Sequence, residues 1–120
     1  MAESKLAIDE RHAGDVTVLI LNGQMLLDDG DLAFRKRIHD LVDGGCSKVV
    51  LDLGGVNYID SSGVGMIVAK LKTLKEKGGD MKLLHLNPRA ESLFGMLKLL
   101  IVFERFDDEA AAVRSFAKPA

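Results

Sequence analysis

The sequence predicts a single α/β domain with a mixed, mostly parallel sheet, an opening antiparallel hairpin, and helices packed on the sheet. β-rich stretches alternate with apolar stripes at helical spacing, which is the pattern of an α/β fold. Val49 to Leu53 forms an almost continuous apolar run, as expected for a strand buried on both faces of a parallel sheet. A short turn alone separates the first two β-rich stretches, which favours a hairpin.

The first half of the predicted domain contains the hairpin, a loop and a helix. Leu6 to Glu10 and Val16 to Leu21 are the predicted strands of the hairpin, and Gly23 to Gly30 is the predicted loop. A helical stripe follows and stops at Gly44-Gly45, a normal C-terminal signal. Its apolar members are Leu32, Phe34, Ile38, Leu41 and Val42.

A buried strand and a long helix form the predicted centre of the domain. The strand spans Ser47 to Leu53, and after a turn-rich break the helix spans Ser62 to Lys77. Met81 to Leu86 is predicted to be the next strand. The core-facing stripe of the helix comprises Val64, Ile67, Val68, Leu71 and Leu74. Its lysines are predicted to lie on a solvated face: Lys70, Lys72, Lys75 and Lys77.

The C-terminal part predicts two more helices with a short strand between them. Pro88 suits the first position of a helix that packs through Ala90, Leu93, Phe94 and Leu97. Leu99 to Phe103 is the predicted short strand, and Asp107 is predicted to cap the last helix. That helix is expected to pack through Ala110, Val113 and Phe116. The domain is expected to span residues 1–120, with a core from about residue 5 to residue 116.

Composition excludes several classes of protein. The apolar fraction of 48% and the charged fraction of 28% fit a globular domain rather than a disordered chain. A net charge of −2 provides no electrostatic footprint for nucleic acid. No apolar run approaches the roughly 20 residues that cross a bilayer, and the N-terminus lacks the apolar core of a signal peptide. Because a single cysteine, Cys46, suits a reducing compartment, we expect a cytoplasmic protein without a membrane span.

Asp60, Ser61 and Ser62 stand immediately before the long helix, where backbone N–H groups are unpaired and the macrodipole is positive. A phosphate carried by a hydroxyl there would lie in a favourable field. On spacing alone, ordinary N-capping accounts for the same residues, because Asp and Ser are preferred caps. Of the two serines, Ser62 is predicted to be the internal cap.

Other kinds of site find little support in the sequence. The three histidines, His12, His39 and His85, are far apart and have no cysteine at ligand spacing, which argues against a metal site. Gly63-Val64-Gly65 lies at a strand–helix junction but lacks the lysine of a P-loop, so no cofactor is expected. Asp28-Asp29 lies in a predicted loop rather than at strand ends, unlike the acidic pair of a phospho-aspartate receiver.

The segment Ile59-Asp60-Ser61-Ser62-Gly63-Val64-Gly65, following the apolar run, resembles the signature of the STAS-domain family of anti-sigma factor antagonists. The resemblance extends along most of the chain. It includes Leu21-Asn22-Gly23 after the second strand, the turn from Lys77 to Leu83, and the stretch from Asn87-Pro88 through Phe94 to Phe103. The resemblance implies the STAS fold and a regulatory binding protein rather than an enzyme.

The family's mechanism implies named roles for the residues of this segment. The unphosphorylated antagonist binds an anti-sigma factor that is also a Ser/Thr kinase, and this binding releases a sigma factor. The kinase uses ATP to phosphorylate the antagonist, which then dissociates, and a Ser/Thr phosphatase restores it. Carried over to this chain, Ser61 is the phosphoacceptor, and Asp60, Ser62, Gly63 and Val64 form the partner-binding loop.

One departure from the family pattern keeps alternatives open. Members commonly have an Asp soon after the second-strand glycine, whereas this chain has Leu26 there and Asp28-Asp29 further on. The first alternative is a STAS accessory subunit of a transporter or scaffold without a phosphorylation cycle. The second is a serine-dependent enzyme, which would need a base near Ser61 or Ser62 and lacks the Gly-x-Ser-x-Gly elbow.

Overall fold

The structure is a computed structural model that describes residues 6–25 and 29–117, without the side chains of residues 29–31. Strands and helices alternate after an opening pair of strands. In chain order the elements are β1 Leu6–Ala13, β2 Val16–Met25, α1 Asp29–Asp43, β3 Lys48–Ile59, α2 Ser61–Glu76, β4 Asp80–Leu84, α3 Pro88–Met96, a 3-10 turn Leu99–Ile101, β5 Arg105–Phe106 and α4 Glu109–Ser115.

The described strands form one mixed sheet in the order β1-β2-β3-β4-β5. β1 pairs antiparallel with β2 through a tight turn in which Gly14 has a positive φ of 64°. The other neighbouring pairs are parallel, because a helix or longer connection returns the chain each time. The predicted fold class is therefore confirmed.

Helices cover both faces of the sheet, and side chains that alternate along each strand contribute to both cores. In β2, Leu19 and Leu21 face a larger core beneath α1, α2 and α3, whereas Val18 faces a smaller core beneath α4. In β3, Leu51 faces the larger core and Val50 the smaller one. This two-sided burial explains the continuous apolar run of β3.

β2 and β3 are both longer than predicted. β2 continues through Gly23, and β3 continues well beyond Leu53, so the predicted loop start and the predicted break are wrong at these positions. The register of the pair shifts around Asn22 and Gly23. A Cβ at Gly55 would collide with the Asn22 side chain, so this glycine permits a close approach of two strands at an irregularity rather than a turn. Of the rest of the predicted loop, residues 26–28, which include Leu26, lie outside the described residues, and Asp29 and Gly30 belong to α1 rather than to a loop.

The segment after α3 also differs from the prediction. Residues 99–103 form a 3-10 turn and a bend instead of a strand, and the short strand is β5. The N-cap of α4 is Asp108, which accepts a backbone N–H of the helix at 3.0 Å, rather than Asp107. Ala112 is buried and Ala110 is exposed, because a helix presents one narrow face to the sheet.

One of the four lysines that were predicted to lie on the solvated face of α2 is buried instead. Lys70 is only 8% exposed, and its Nζ lies 3.1 Å from Nε2 of His39 on α1. Lys72, Lys75 and Lys77 are exposed as predicted. Lys70 thus buries its aliphatic stem and places its charged end beside a hydrogen-bonding ring.

Candidate functional site

β3 and α2 meet at Asp60, which lies in an extended conformation and caps the helix. Its Oδ1 accepts the backbone N–H of Gly63 at 2.9 Å, and its carbonyl oxygen accepts that of Val64 at 3.0 Å. Capping by Asp60 starts the helix at Ser61, one residue earlier than predicted, and corrects the assignment of the cap to Ser62. Both serines are exposed in the first turn of α2.

Gly63 and Val64 pack the serine-bearing turn against the end of β2 and the larger core. A Cβ at Gly63 would lie 2.5 Å from the carbonyl oxygen of Met25 and 3.0 Å from Cγ1 of Ile59, so only glycine fits this contact with the end of β2. Val64 is 1% exposed and belongs to the larger core. Within the predicted partner-binding loop, Ser62 is therefore exposed and Asp60 half-buried, and the exposed Ser61 lies between them.

A groove runs beside Ser61, between the end of β3 and α3. Tyr58, Ile59, Asp60 and Ser61 form one wall, and the α3 residues Arg89, Ser92, Leu93 and Met96 form the other. The guanidinium carbon of Arg89 lies 4.3 Å from the centroid of the Tyr58 ring, a cation–π contact. The groove thus brings a cation, an aromatic ring and a hydroxyl together.

Exposed apolar side chains continue from this groove along the end of α3 and the 3-10 turn. We call them the apolar patch: Met96 (72% exposed), Leu97 (44%), Ile101 (86%) and Val102 (51%). Leu97 was predicted to be buried but is the C-cap of α3. Ile101 and Val102 also line a second groove, whose other wall is the later part of α2 from Val68 to Glu76. α2 therefore has Ser61 at one end of this surface and an apolar groove along its length.

The sequence did not point to Tyr58, Arg89 or the apolar patch. Tyr58 lies in the predicted break, and Arg89 lies in the first turn of a predicted helix, where a charged residue is common. Ile101 and Val102 belong to the predicted short strand, because the run from Leu99 to Phe103 is apolar. Phe103 is indeed buried, but the 3-10 turn directs its neighbours outward.

The histidines are not brought together by the fold. Nε2 of His12 lies 2.8 Å from a Glu10 carboxylate, His39 contacts Lys70, and Nδ1 of His85 lies 3.2 Å from Oδ1 of Asp52. Within residues 6–25 and 29–117, no group of three or more potential ligands is placed to hold a metal ion. The described lining of the Ser61 groove holds no histidine that could serve as a base.

Every helix in residues 6–25 and 29–117 is too short or too polar to span a membrane.

Known proteins resemble this chain in sequence over most of its length. A model of the STAS domain matches residues 7–112. The anti-sigma F factor antagonist of Paenibacillus polymyxa is 28% identical over 108 residues, which cover 90% of this chain and 92% of the relative.

Solved structures share the fold. A candidate anti-sigma factor antagonist of Thermotoga maritima has a TM-score of 0.84 at 26% identity, covering 92% of this chain and 95% of that one. The anti-sigma factor antagonist SpoIIAA, described as a Bacillus cell fate determinant, is known in unphosphorylated and phosphorylated forms. These have TM-scores of 0.78 and 0.72 at 20% and 21% identity, and they cover 95% and 91% of this chain and 100% and 99% of their own. These relatives are named as anti-sigma factor antagonists, which are regulatory binding proteins and not enzymes.

Proposed function

The chain belongs to the STAS-domain family and is related to the anti-sigma factor antagonists, and we propose that its unphosphorylated form binds an anti-sigma factor that is also a Ser/Thr kinase. Binding releases a sigma factor. Phosphorylation of Ser61 by that kinase ends the binding, and a Ser/Thr phosphatase restores it. Because the cycle consumes ATP and the chain has a single cysteine, we assign it to the cytoplasm.

The observation that carries the proposal is the position of the Ser61 hydroxyl. Ser61 is exposed as the first residue of α2, and Asp60 already caps the helix. The hydroxyl is therefore accessible to a kinase and is not required for the fold. A phosphate there lies near the positive end of the α2 dipole, so the modified chain stays folded.

Phosphorylation changes the charge of this surface more than its shape. A phosphate adds about −1.5 to −2 charges and three acceptor oxygens. It would stand next to the Asp60 carboxylate and beside the apolar patch. A partner surface that fits the unmodified turn would then face an unpaired, desolvated charge, which weakens the complex.

We assign the apolar patch to the same anti-sigma partner. Met96 lines the Ser61 groove, so the patch is continuous with the proposed switch. Exposed apolar patches on small domains commonly mark protein interaction sites. Lys72, Lys75 and Glu76 line the second groove beside its apolar side chains, and the excess of one positive charge favours a partner segment that combines apolar side chains with an acidic one.

Kinase treatment of serine variants tests the phosphorylation switch. The chain is incubated with ATP and the histidine-kinase-like anti-sigma factor encoded in the same genome, followed by mass spectrometry and binding measurements. We expect Ser61→Ala to abolish phosphorylation and keep binding, and Ser61→Asp to weaken binding with an unchanged circular dichroism spectrum. Ser62→Ala is the matched control and should still be phosphorylated. Partner binding without phosphate on either serine would instead favour the accessory-subunit alternative.

Acidic substitutions test the apolar patch. Ile101→Asp should lower affinity for the anti-sigma factor at least tenfold, because it places a charge in an apolar interface core. Ala110→Asp on α4 is the control, since α4 covers the opposite face of the sheet. Equal affinities of the two variants would remove the patch from the proposed interface.

A further inference from the structure

We propose that the Arg89 guanidinium binds the phosphate group carried by phosphorylated Ser61. Modification of Ser61 then replaces the Arg89–Tyr58 contact with an arginine–phosphate ion pair. This inference rests on the proposed function, since it takes Ser61 as the phosphoacceptor. α3, which carries Arg89, then takes part in the switch together with the serine-bearing turn.

Ser61 and Arg89 line the same groove. Ser61 lies on the wall formed by the end of β3 and the start of α2, and Arg89 lies on the α3 wall. The Arg89 guanidinium is held over Tyr58, 4.3 Å from the ring centroid, and Tyr58 is on the same wall as Ser61. The guanidinium of Arg89 therefore already reaches across the groove to the end of β3, the strand that leads to Ser61.

The charge of Arg89 is available for a new anion. No carboxylate in the described part of the chain forms an ion pair with Arg89, and the Tyr58 ring is its contact there. The neighbouring arginine differs in this respect, because Nη1 of Arg105 lies 2.8 Å from a Glu91 carboxylate. A guanidinium can donate two parallel N–H bonds to phosphate oxygens, a stronger contact than an exposed cation–π pair.

The charged side chains in the described lining of the groove are the Asp60 carboxylate and the Arg89 guanidinium. The Asp60 carboxylate precedes Ser61 and repels a phosphate dianion, and its Oδ1 is held in place by the N–H of Gly63. When the phosphoserine side chain turns into the groove, which Asp60 also lines, the Arg89 guanidinium offsets this repulsion. The groove is then filled by an ion pair, and the face of Tyr58 is uncovered.

This arrangement gives phosphorylation a second effect on the partner. Besides the added charge, the partner loses the Arg89 donors and meets a closed groove. Both changes occur at side chains that line the groove and need no movement of the helices.

Phosphorus NMR on site-specifically modified protein tests the proposal. Phosphoserine is placed at position 61 of the full chain by genetic encoding, which requires no kinase. The second ionisation of phosphoserine has a pKa of about 6 in the absence of partners. We expect the pKa of phosphoserine 61 to lie below this value in the Arg89 protein and to rise in Arg89→Gln. The ring resonances of Tyr58, the single tyrosine of the chain, should shift on modification only when Arg89 is present.

Two controls separate a specific pair from a general field effect. Phosphoserine at position 62 has the same helix terminus but does not line the groove, so Arg89→Gln should leave its pKa unchanged. Arg105→Gln should leave phosphoserine 61 unchanged. An identical phosphoserine 61 titration with and without Arg89 would overturn the proposal. The measurement uses no kinase and no partner, so that result would not contradict the proposed phosphorylation cycle. Conversely, a failure of the kinase to modify Ser61 would not change the NMR result.

Discussion

At the scale of single residues, Gly63 links the site to the core. It lies under the serine-bearing turn and touches the backbone of β2, where a side chain has no room. We expect Gly63→Ala to lower the free energy of unfolding by about 1–3 kcal/mol, the usual cost of overpacking. Urea denaturation monitored by circular dichroism measures it.

Gly65 provides the matched control in the same helix. A Cβ there meets nothing within 4 Å in the described structure, and the residue is exposed. Gly65→Ala should raise the free energy of unfolding by up to about 1 kcal/mol, because alanine is the better helix former. Similar destabilisation by both substitutions would mean that helix propensity, and not the contact with Met25, governs Gly63.

Asp60 contributes to stability as the cap of α2. Asp60→Ala should lower the free energy of unfolding by about 0.5–2 kcal/mol, because the N–H of Gly63 loses its acceptor. Asp60→Asn retains a capping oxygen and should recover most of the loss. Thermal or urea unfolding of the three proteins measures the difference, and equal values for Ala and Asn would contradict the capping role.

At the scale of elements, α2 depends on its buried stripe. Leu71 is 6% exposed within the larger core, and Leu71→Ala should lower the free energy of unfolding by about 2–5 kcal/mol through lost burial and a cavity. The neighbouring exposed Lys72→Ala should change it by no more than about 0.5 kcal/mol. A urea midpoint of Leu71→Ala equal to that of the control, at equal slope, would show that the helix packs by another face.

The hairpin turn is tied to β3 by an exposed ion pair. Nζ of Lys48 lies 2.6 Å from Oδ2 of Asp15, and this hydrogen bond and charge lower the pKa of Asp15 below its usual 3.8. A lowered pKa in the folded state stabilises the fold above pH 3.8, and the contribution is lost as the pH falls through the folded-state pKa. Asp15→Asn should therefore reduce stability slightly at neutral pH and not in strong acid. Unfolding curves at both pH values test this, and high salt should diminish the neutral-pH difference.

At the scale of the whole molecule, the surface favours a protein ligand. The net charge of −2 offers no counterion-release term for DNA, and the Gly63-Val64-Gly65 turn is followed by Met66 and Ile67 rather than by a phosphate-binding lysine. We expect calorimetry of the isolated chain to show no binding of ATP or duplex DNA. The anti-sigma factor should bind the isolated chain with a negative heat-capacity change, because binding buries apolar surface. Tight nucleotide binding by the isolated chain would contradict the assignment.

Local sequence determined the fold class and the start of α2. Alternation of β-rich and helical stretches specified the mixed sheet, because periods of about 2 and 3.6 residues bury different faces. The Asp-Ser-Ser-Gly segment located the start of α2 to within one residue, since capping chemistry acts over a single turn.

Tertiary structure decided the properties that depend on what lies opposite a residue. The strands of the central pair extend beyond their predicted ends because Gly55 can approach Asn22 across the register shift. The burial of Lys70 depends on His39 of another helix, and the exposure of Ile101 depends on the 3-10 turn. Arg89 became part of the candidate site only when α3 packed beside the end of β3. Such contacts join residues distant along the chain, and a local pattern contains no information about their distances.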